Sequence, residues 1–76
     1  MREVLQYLAK NLVSDPDAVK VDEVTNGTTV SLRLSVAPDD MGKIIGRGGR
    51  TVRAIRDVLR AAATREGLVV TVEIVE

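Results

Sequence analysis

Cysteine, histidine, phenylalanine and tryptophan are absent from the 76 residues, and tyrosine occurs once, as Tyr7. Without cysteine there are no disulfides and no thiolate chemistry, and without histidine the commonest general base and metal ligand is gone. Most enzyme mechanisms are thereby closed, so catalytic residues, a cofactor and a metal site are not expected. No apolar run approaches the roughly 20 residues of a membrane span, and no signal-peptide pattern opens the chain. A soluble, cytoplasmic protein is the expectation. The length fits a single domain, residues 1–76, near the size where folding buries only about 60% of the unfolded chain's surface. Its core will be small.

An excess of charge of one sign is also missing, since 11 basic residues balance 11 acidic ones. That average hides a segregation. Between Met41 and Arg65 stand Lys43, Arg47, Arg50, Arg53, Arg56, Arg60 and Arg65 against Asp57 alone, a net +6; the remainder carries four basic and ten acidic residues, a net −6. A polyanion would meet one face of such a molecule and avoid the other. For Arg56, Arg60 and Arg65 a merely solvated helix face is an equally good reading.

Hydrophobic spacing supplies the scaffold. Val4, Leu5, Leu8, Leu12 and Val13 recur at helical intervals and predict a first helix with one buried stripe. Ser14-Asp15-Pro16-Asp17 stops it, because proline cannot continue the hydrogen-bond ladder. A strand begins at Val19-Lys20-Val21, and the Asn26-Gly27 pair favours a tight hairpin turn. In the partner strand Val30, Leu32, Leu34 and Val36 alternate with Ser31, Arg33 and Ser35, so one face is buried and the other polar.

Pro38 opens a brief helix running to Ile45, with Asp39 and Asp40 read as charges that complement the helix dipole and not as a catalytic or metal pair. A longer helix spans about 50–65, with Val52, Ile55, Val58, Leu59, Ala62 and Ala63 on one side and Arg50, Arg53, Arg56 and Arg60 on the opposite arc. Gly67 marks its end, and the β-branched stretch from Leu68 to Val75 is a final strand. The order is α-β-β-α-α-β. Three helices on one face of a three-stranded mixed sheet, a two-layer α+β fold, is the economical arrangement.

Between the two later helices lies Gly46-Arg47-Gly48-Gly49, almost free of side-chain bulk at the bend. Backbone amides there can approach phosphates that a Cβ would hold off. Arg47 can meet phosphate with a planar guanidinium, and Lys43, Arg50 and Arg53 add charge nearby. Rival phosphate motifs fail on spacing: Gly42 and four intervening residues lead to Arg47 where a P-loop needs Gly-Lys-Ser/Thr, and Gly46-x-Gly48 and two intervening residues lead to Thr51 where a dinucleotide fingerprint needs glycine. Gly42 serves either helix packing or ligand approach, and Ile45 either the core or a groove lining.

Ile44-Ile45-Gly46-Arg47-Gly48-Gly49-Arg50-Thr51-Val52 resembles the signature of the KH domain, in which an Ile-Gly-x-x-Gly loop joins two helices and clamps about four nucleotides of a single strand. The element order is similar to the type II version. More narrowly, the segment Val36 to Gly46 and the ending Val72-Glu73-Ile74-Val75-Glu76 resemble the small bacterial one-domain KhpA family. The resemblance implies single-stranded RNA held by Lys43, Ile45, Gly46, Arg47, Gly48, Gly49, Arg50 and Arg53, above an apolar floor from Ile45, Val36 and the near end of the long helix. It also implies a homodimer or a complex with a larger KhpB (Jag/EloR)-type partner, in RNA regulation or chaperoning or in control of cell shape. Tyr7 alone cannot build an aromatic stacking platform of the RRM or cold-shock kind. The other reading is an interaction module whose nucleic-acid binding is incidental, with Val58, Ala62 and Ala63 contributing a dimer contact.

Overall fold

A computed structural model describes residues 1–75. Helix α1 (Arg2–Leu12) leads through a one-turn 3₁₀ segment at Pro16–Ala18 into strand β1 (Lys20–Asn26), which turns back as β2 (Thr29–Ser35). A second 3₁₀ turn at Pro38–Asp40 feeds the short helix α2 (Met41–Ile45), and the glycine loop connects it to α3 (Arg50–Arg65) and strand β3 (Val69–Val75). The sheet order is β1-β2-β3. β1 and β2 are antiparallel, with Val21 opposite Leu34, whereas β2 and β3 are parallel, with Leu32 beside Val72. The sheet is therefore mixed, the three helices cover one face, and the order matches the type II KH fold. No helix among the described residues is long and apolar enough to cross a membrane.

The alternating strand behaves as its pattern dictates. Val30, Leu32, Leu34 and Val36 are all buried, and they meet Leu5 and Ala9 from α1, Ile44 from α2, and Ile55, Leu59 and Ala63 from α3 in one cluster. Burying side chains of this size stabilises by about 1.5–3 kcal/mol each, which lets so small a chain keep a defined interior.

Two helical stripes differ from the sequence expectation. In α1, Val4 and Leu12 stay partly exposed while Ala9 is fully buried, so the stripe that meets the core cluster runs through Leu5 and Ala9. In α3, Val58 is half exposed and Ala62 lies at the boundary, so the buried line is Val52, Ile55, Leu59 and Ala63. Ala63 is core and is not available to a dimer contact. The hairpin loop is Gly27-Thr28, with Asn26 still paired to Thr29; the positive φ falls on Gly27 at the loop's first position.

Chain reversal after α3 follows a Schellman arrangement, with Leu68 N–H bonded to Ala63 O at 2.8 Å and Gly67 N–H to Thr64 O at 3.1 Å. Gly67, at φ +71, thus ends the helix as its position suggests.

Asp40 is where local reading falls shortest. Instead of standing at a helix start in solvent, its carboxylate is buried and accepts the backbone N–H groups of Ser14 and Asp15, each at 3.1 Å. Lys43 Nζ lies 3.5 Å from Asp40 Oδ1 and donates to Ser14 Oγ. The Ser14 N–H, aided by that of Asp15 and by the Lys43 ammonium, holds the Asp40 carboxyl below its usual range, against the upward push of burial. One carboxylate therefore pins the end of α1 to the start of α2, which fixes the helix that carries the loop.

Candidate nucleic-acid interface

The loop between α2 and α3 has two parts with different demands. Gly46 has φ 76 and ψ 171, a region open essentially to glycine alone. A Cβ there would also lie 2.7 Å from Thr51 Cβ and 2.9 Å from the Thr51 backbone nitrogen. Gly46 is thus required by packing as well as by conformation. Gly48 and Gly49 follow one another at φ 65 and φ 77, yet a Cβ on either would meet open space. Their bareness leaves backbone facing solvent.

α3 begins at this point without any side-chain cap. Its first turn therefore presents the positive end of the helix dipole beside the loop with no competing side-chain oxygen. Arg47, Arg50 and Arg53 are exposed and make no ion pair or side-chain hydrogen bond among the described residues. Their charge is available to an incoming anion.

An open cleft of about 480 Å³ runs from the loop along α3, lined by Gly48, Gly49, Val52, Arg53, Arg56, Asp57 and Arg60. It continues into a depression between Arg56 and Arg60 and the edge of β3 at Val70, Thr71 and Val72. The cleft thus collects Gly48, Gly49 and Arg53 from the sequence expectation, with Arg47 and Arg50 on the adjoining exposed turn.

Other expected residues stand elsewhere. Lys43 is engaged with Asp40 and Ser14. Ile45 is partly exposed, not core, but it does not line this cleft. Val36 lines neither the cleft nor the depression, whose apolar side chains are Val52, Val70 and Val72.

Arg56 and Arg60 belong to the cleft instead of forming a detached solvated face. Their spacing from Arg53, three and seven residues on, is the sequence signal that places all three on one side of α3. The β3 wall had no such signal, because which strand lies beside α3 depends on the parallel crossover.

Comparison with known proteins agrees with this geometry. A family model described as the KH domain of KhpA/KhpB matches residues 2–74. The chain belongs to the KhpA/KhpB KH-domain family. Among similar KhpA proteins, the RNA-binding protein KhpA of Clostridium acetobutylicum is 51% identical over 75 residues, covering 99% of this chain and all of that protein. RNA-binding protein KhpA of Chlamydia pneumoniae is 47% identical over 76 residues, all of this chain and 97% of that one. The protein of the same name from Halalkalibacterium halodurans is 43% identical across the whole of both chains. Similarity to KhpA thus spans loop, cleft and scaffold together.

Proposed function

We propose that residues 1–76 act as one KH domain that binds single-stranded RNA in the cleft between the glycine loop, α3 and β3, in the cytoplasm, as a post-transcriptional regulator or RNA chaperone and not as an enzyme. The observation that carries this reading is the pair Gly48-Gly49, whose Cβ positions are open space, beside guanidinium groups of Arg47, Arg50 and Arg53 that are unpaired among the described residues. Bare backbone lets the sugar-phosphate chain come close, and the arginines neutralise it. Val52 and Val70, with Val72, give bases an apolar surface where no aromatic side chain is at hand. The related KhpA proteins are named as RNA-binding.

Gly46 sets the loop's shape, and Ile45 flanks it. Lys43 supports α2 and adds long-range charge. Binding of this kind is tolerant of sequence at most positions, since phosphate contacts carry little base information.

Replacing Arg47 and Gly48 together by aspartate tests the assignment. Titration of fluorescent single-stranded RNA should lose saturable binding while the circular dichroism spectrum is unchanged. Native-like affinity in that variant would remove the loop from the site.

A second reading concerns assembly. Val58, Ala61, Ala62, Arg65 and Glu66 border a largely apolar depression of about 480 Å³ on α3, with Val58 52% exposed. We infer that this face contributes to pairing with a second copy or with a KhpB-type protein, which would bring two clefts to one strand and add avidity. Light scattering should report a lower mass for Ala62→Glu than for the native chain; equal masses would discard the contact.

A further inference from the structure

The two edges of the sheet are finished differently. At the edge of β3, which borders the cleft, Arg56 donates to Val72 O. At the other edge stands β1, seven residues free of proline and glycine, and among the described residues no hydrogen bond from outside the sheet reaches it. The turn at Gly27-Thr28 closes on the pair Asn26 and Thr29, and a two-residue hairpin loop closes on a hydrogen-bonded pair. Alternation along the antiparallel ladder then commits Lys20, Asp22, Val24 and Asn26 to β2, and leaves the N–H and C=O of Val21, Glu23 and Thr25 pointing outward. Only Val21 of this strand is buried, and Val24 is 62% exposed. Two carboxylates stand here without a cation. Asp22 lies across from Arg33, but Arg33 turns its Nε to Glu73 on the far neighbour at 3.2 Å. Glu23, across from Leu32 on the helix-covered face, makes no ion pair among the described residues. Successive strand residues point to opposite faces, so one free carboxylate flanks the edge on each side of the sheet.

We propose that β1 is a strand-addition site for a basic extended segment of a partner protein, one that carries two adjacent lysine or arginine residues. An added strand takes up the outward N–H and C=O groups of Val21, Glu23 and Thr25, which supplies affinity, while its alternating side chains supply specificity. Of two neighbouring cations on that strand, one falls on the open face beside Asp22 and the other on the helix-covered face beside Glu23. The same charges turn away other occupants. A second copy pairing antiparallel along the whole of β1 would set Glu23 opposite itself, and like charges directly opposite are destabilising. An acidic strand would meet two free carboxylates. Charged edges guard sheets against aggregation; here carboxylates on both faces do so while admitting a cationic strand. Because β1 and β3 are opposite edges of the sheet, the partner segment and RNA occupy separate places, and the domain can join a basic protein to the RNA it holds. The strand site requires only the fold, so it stands or falls apart from the RNA reading.

Fluorescence anisotropy with the labelled peptide Thr-Val-Lys-Arg-Val-Thr, and with the same peptide carrying Glu-Asp in place of Lys-Arg, measures the preference, and amide hydrogen exchange followed by NMR locates the contact. The basic peptide should bind and slow exchange at the Glu23 and Thr25 amides, and the acidic one should bind about tenfold more weakly. Asp22→Asn together with Glu23→Gln should weaken the basic peptide by about fivefold, the worth of two cross-strand ion pairs. Thr25→Pro removes one outward N–H without touching a charge or a bond to β2. It should weaken the peptide by about fivefold, one net hydrogen bond, with RNA affinity unchanged. In the native chain alone, no binding of the basic peptide, equal binding of the acidic one, or protection at Val70 and Val72 in place of Glu23 and Thr25 overturns the inference. Undiminished affinity in Thr25→Pro shows attraction by charge without strand pairing and overturns it as well. A chain that takes the peptide at β1 but binds no RNA keeps the strand site and removes the RNA reading; one that binds RNA but not the peptide does the reverse.

Discussion

Placing an alanine at each loop glycine should split the loop into a structural half and an exposed half. At Gly48, alanine must adopt a left-handed conformation, at about 1–2 kcal/mol, but finds empty space around its methyl group. A chain of this length loses roughly 6 °C of melting temperature per kcal/mol, so Gly48→Ala should melt about 6–12 °C below the native protein. At Gly46 the backbone region is nearly closed to alanine, a strain of about 1–3 kcal/mol. To this is added the collision with Thr51, whose Cβ and backbone nitrogen lie 2.7 and 2.9 Å from the new methyl. Both the loop and the first turn of α3 must shift, and overpacking of that kind costs a further 1–3 kcal/mol or so. Gly46→Ala should therefore fall by roughly 12–36 °C. Truncating Thr51 to alanine in the same chain should restore only part of the loss, because the Thr51 Cβ and nitrogen remain. Thermal melts followed by circular dichroism at 222 nm decide the matter. If Gly46→Ala and Gly48→Ala melt together, the argument that Gly46 is packed and Gly48 is presented fails.

Two other outcomes follow from the charges. Asp40→Asn keeps one acceptor oxygen but turns an amide N–H₂ toward the second backbone N–H, so its melting temperature should drop by several degrees at neutral pH. Because the native Asp40 pKa lies below its usual 3.8, the carboxylate's contribution is complete above that pH and is lost as pH falls through the lower native value. The gap between native and variant melting temperatures should narrow over that acid range, and a gap independent of pH would refute the assignment. Three phosphate contacts from Arg47, Arg50 and Arg53 give a slope of about −2 for log affinity against log salt on a single strand. Arg53→Gln should reduce it to about −1.4, measured by RNA titration across a salt series; a flat response in the native chain would favour an interaction module instead.

How much of this was legible in the sequence depends on whether a residue's role is set by its chain neighbours or by distant ones. β2 was readable residue by residue, because period-two alternation is a local property and Val30, Leu32 and Leu34 face the side of the sheet that the helices cover. Gly67 and Pro38 were readable because helix ends are local too. Ala9 was passed over and Val58 misplaced because hydrophobicity alone does not say which side of a helix its neighbours cover: a methyl group fills the core beside Leu5, and a valine next to the buried Leu59 stays half exposed. Asp40 was opaque, since its partners Ser14 and Asp15 lie 26 and 25 residues away.

The same distinction explains the shape of the candidate interface. Counting cations along α2 and α3 weighs Lys43 and Arg53 equally, yet Lys43 already faces a buried carboxylate and Arg53 faces none among the described residues. For an anion to recruit Lys43, the ammonium must leave Asp40, and Asp40 would then be a buried charge with two backbone N–H groups but no cation. For an anion to recruit Arg53, nothing has to be broken. The usable field is therefore displaced from α2 toward the loop and the start of α3, where Arg47, Arg50 and Arg53 make no ion pair among the described residues, whereas Arg56 and Arg60 are held by Val72 O and Asp57. That displacement comes from which charges are already spoken for, and no count of cations along the chain announces it.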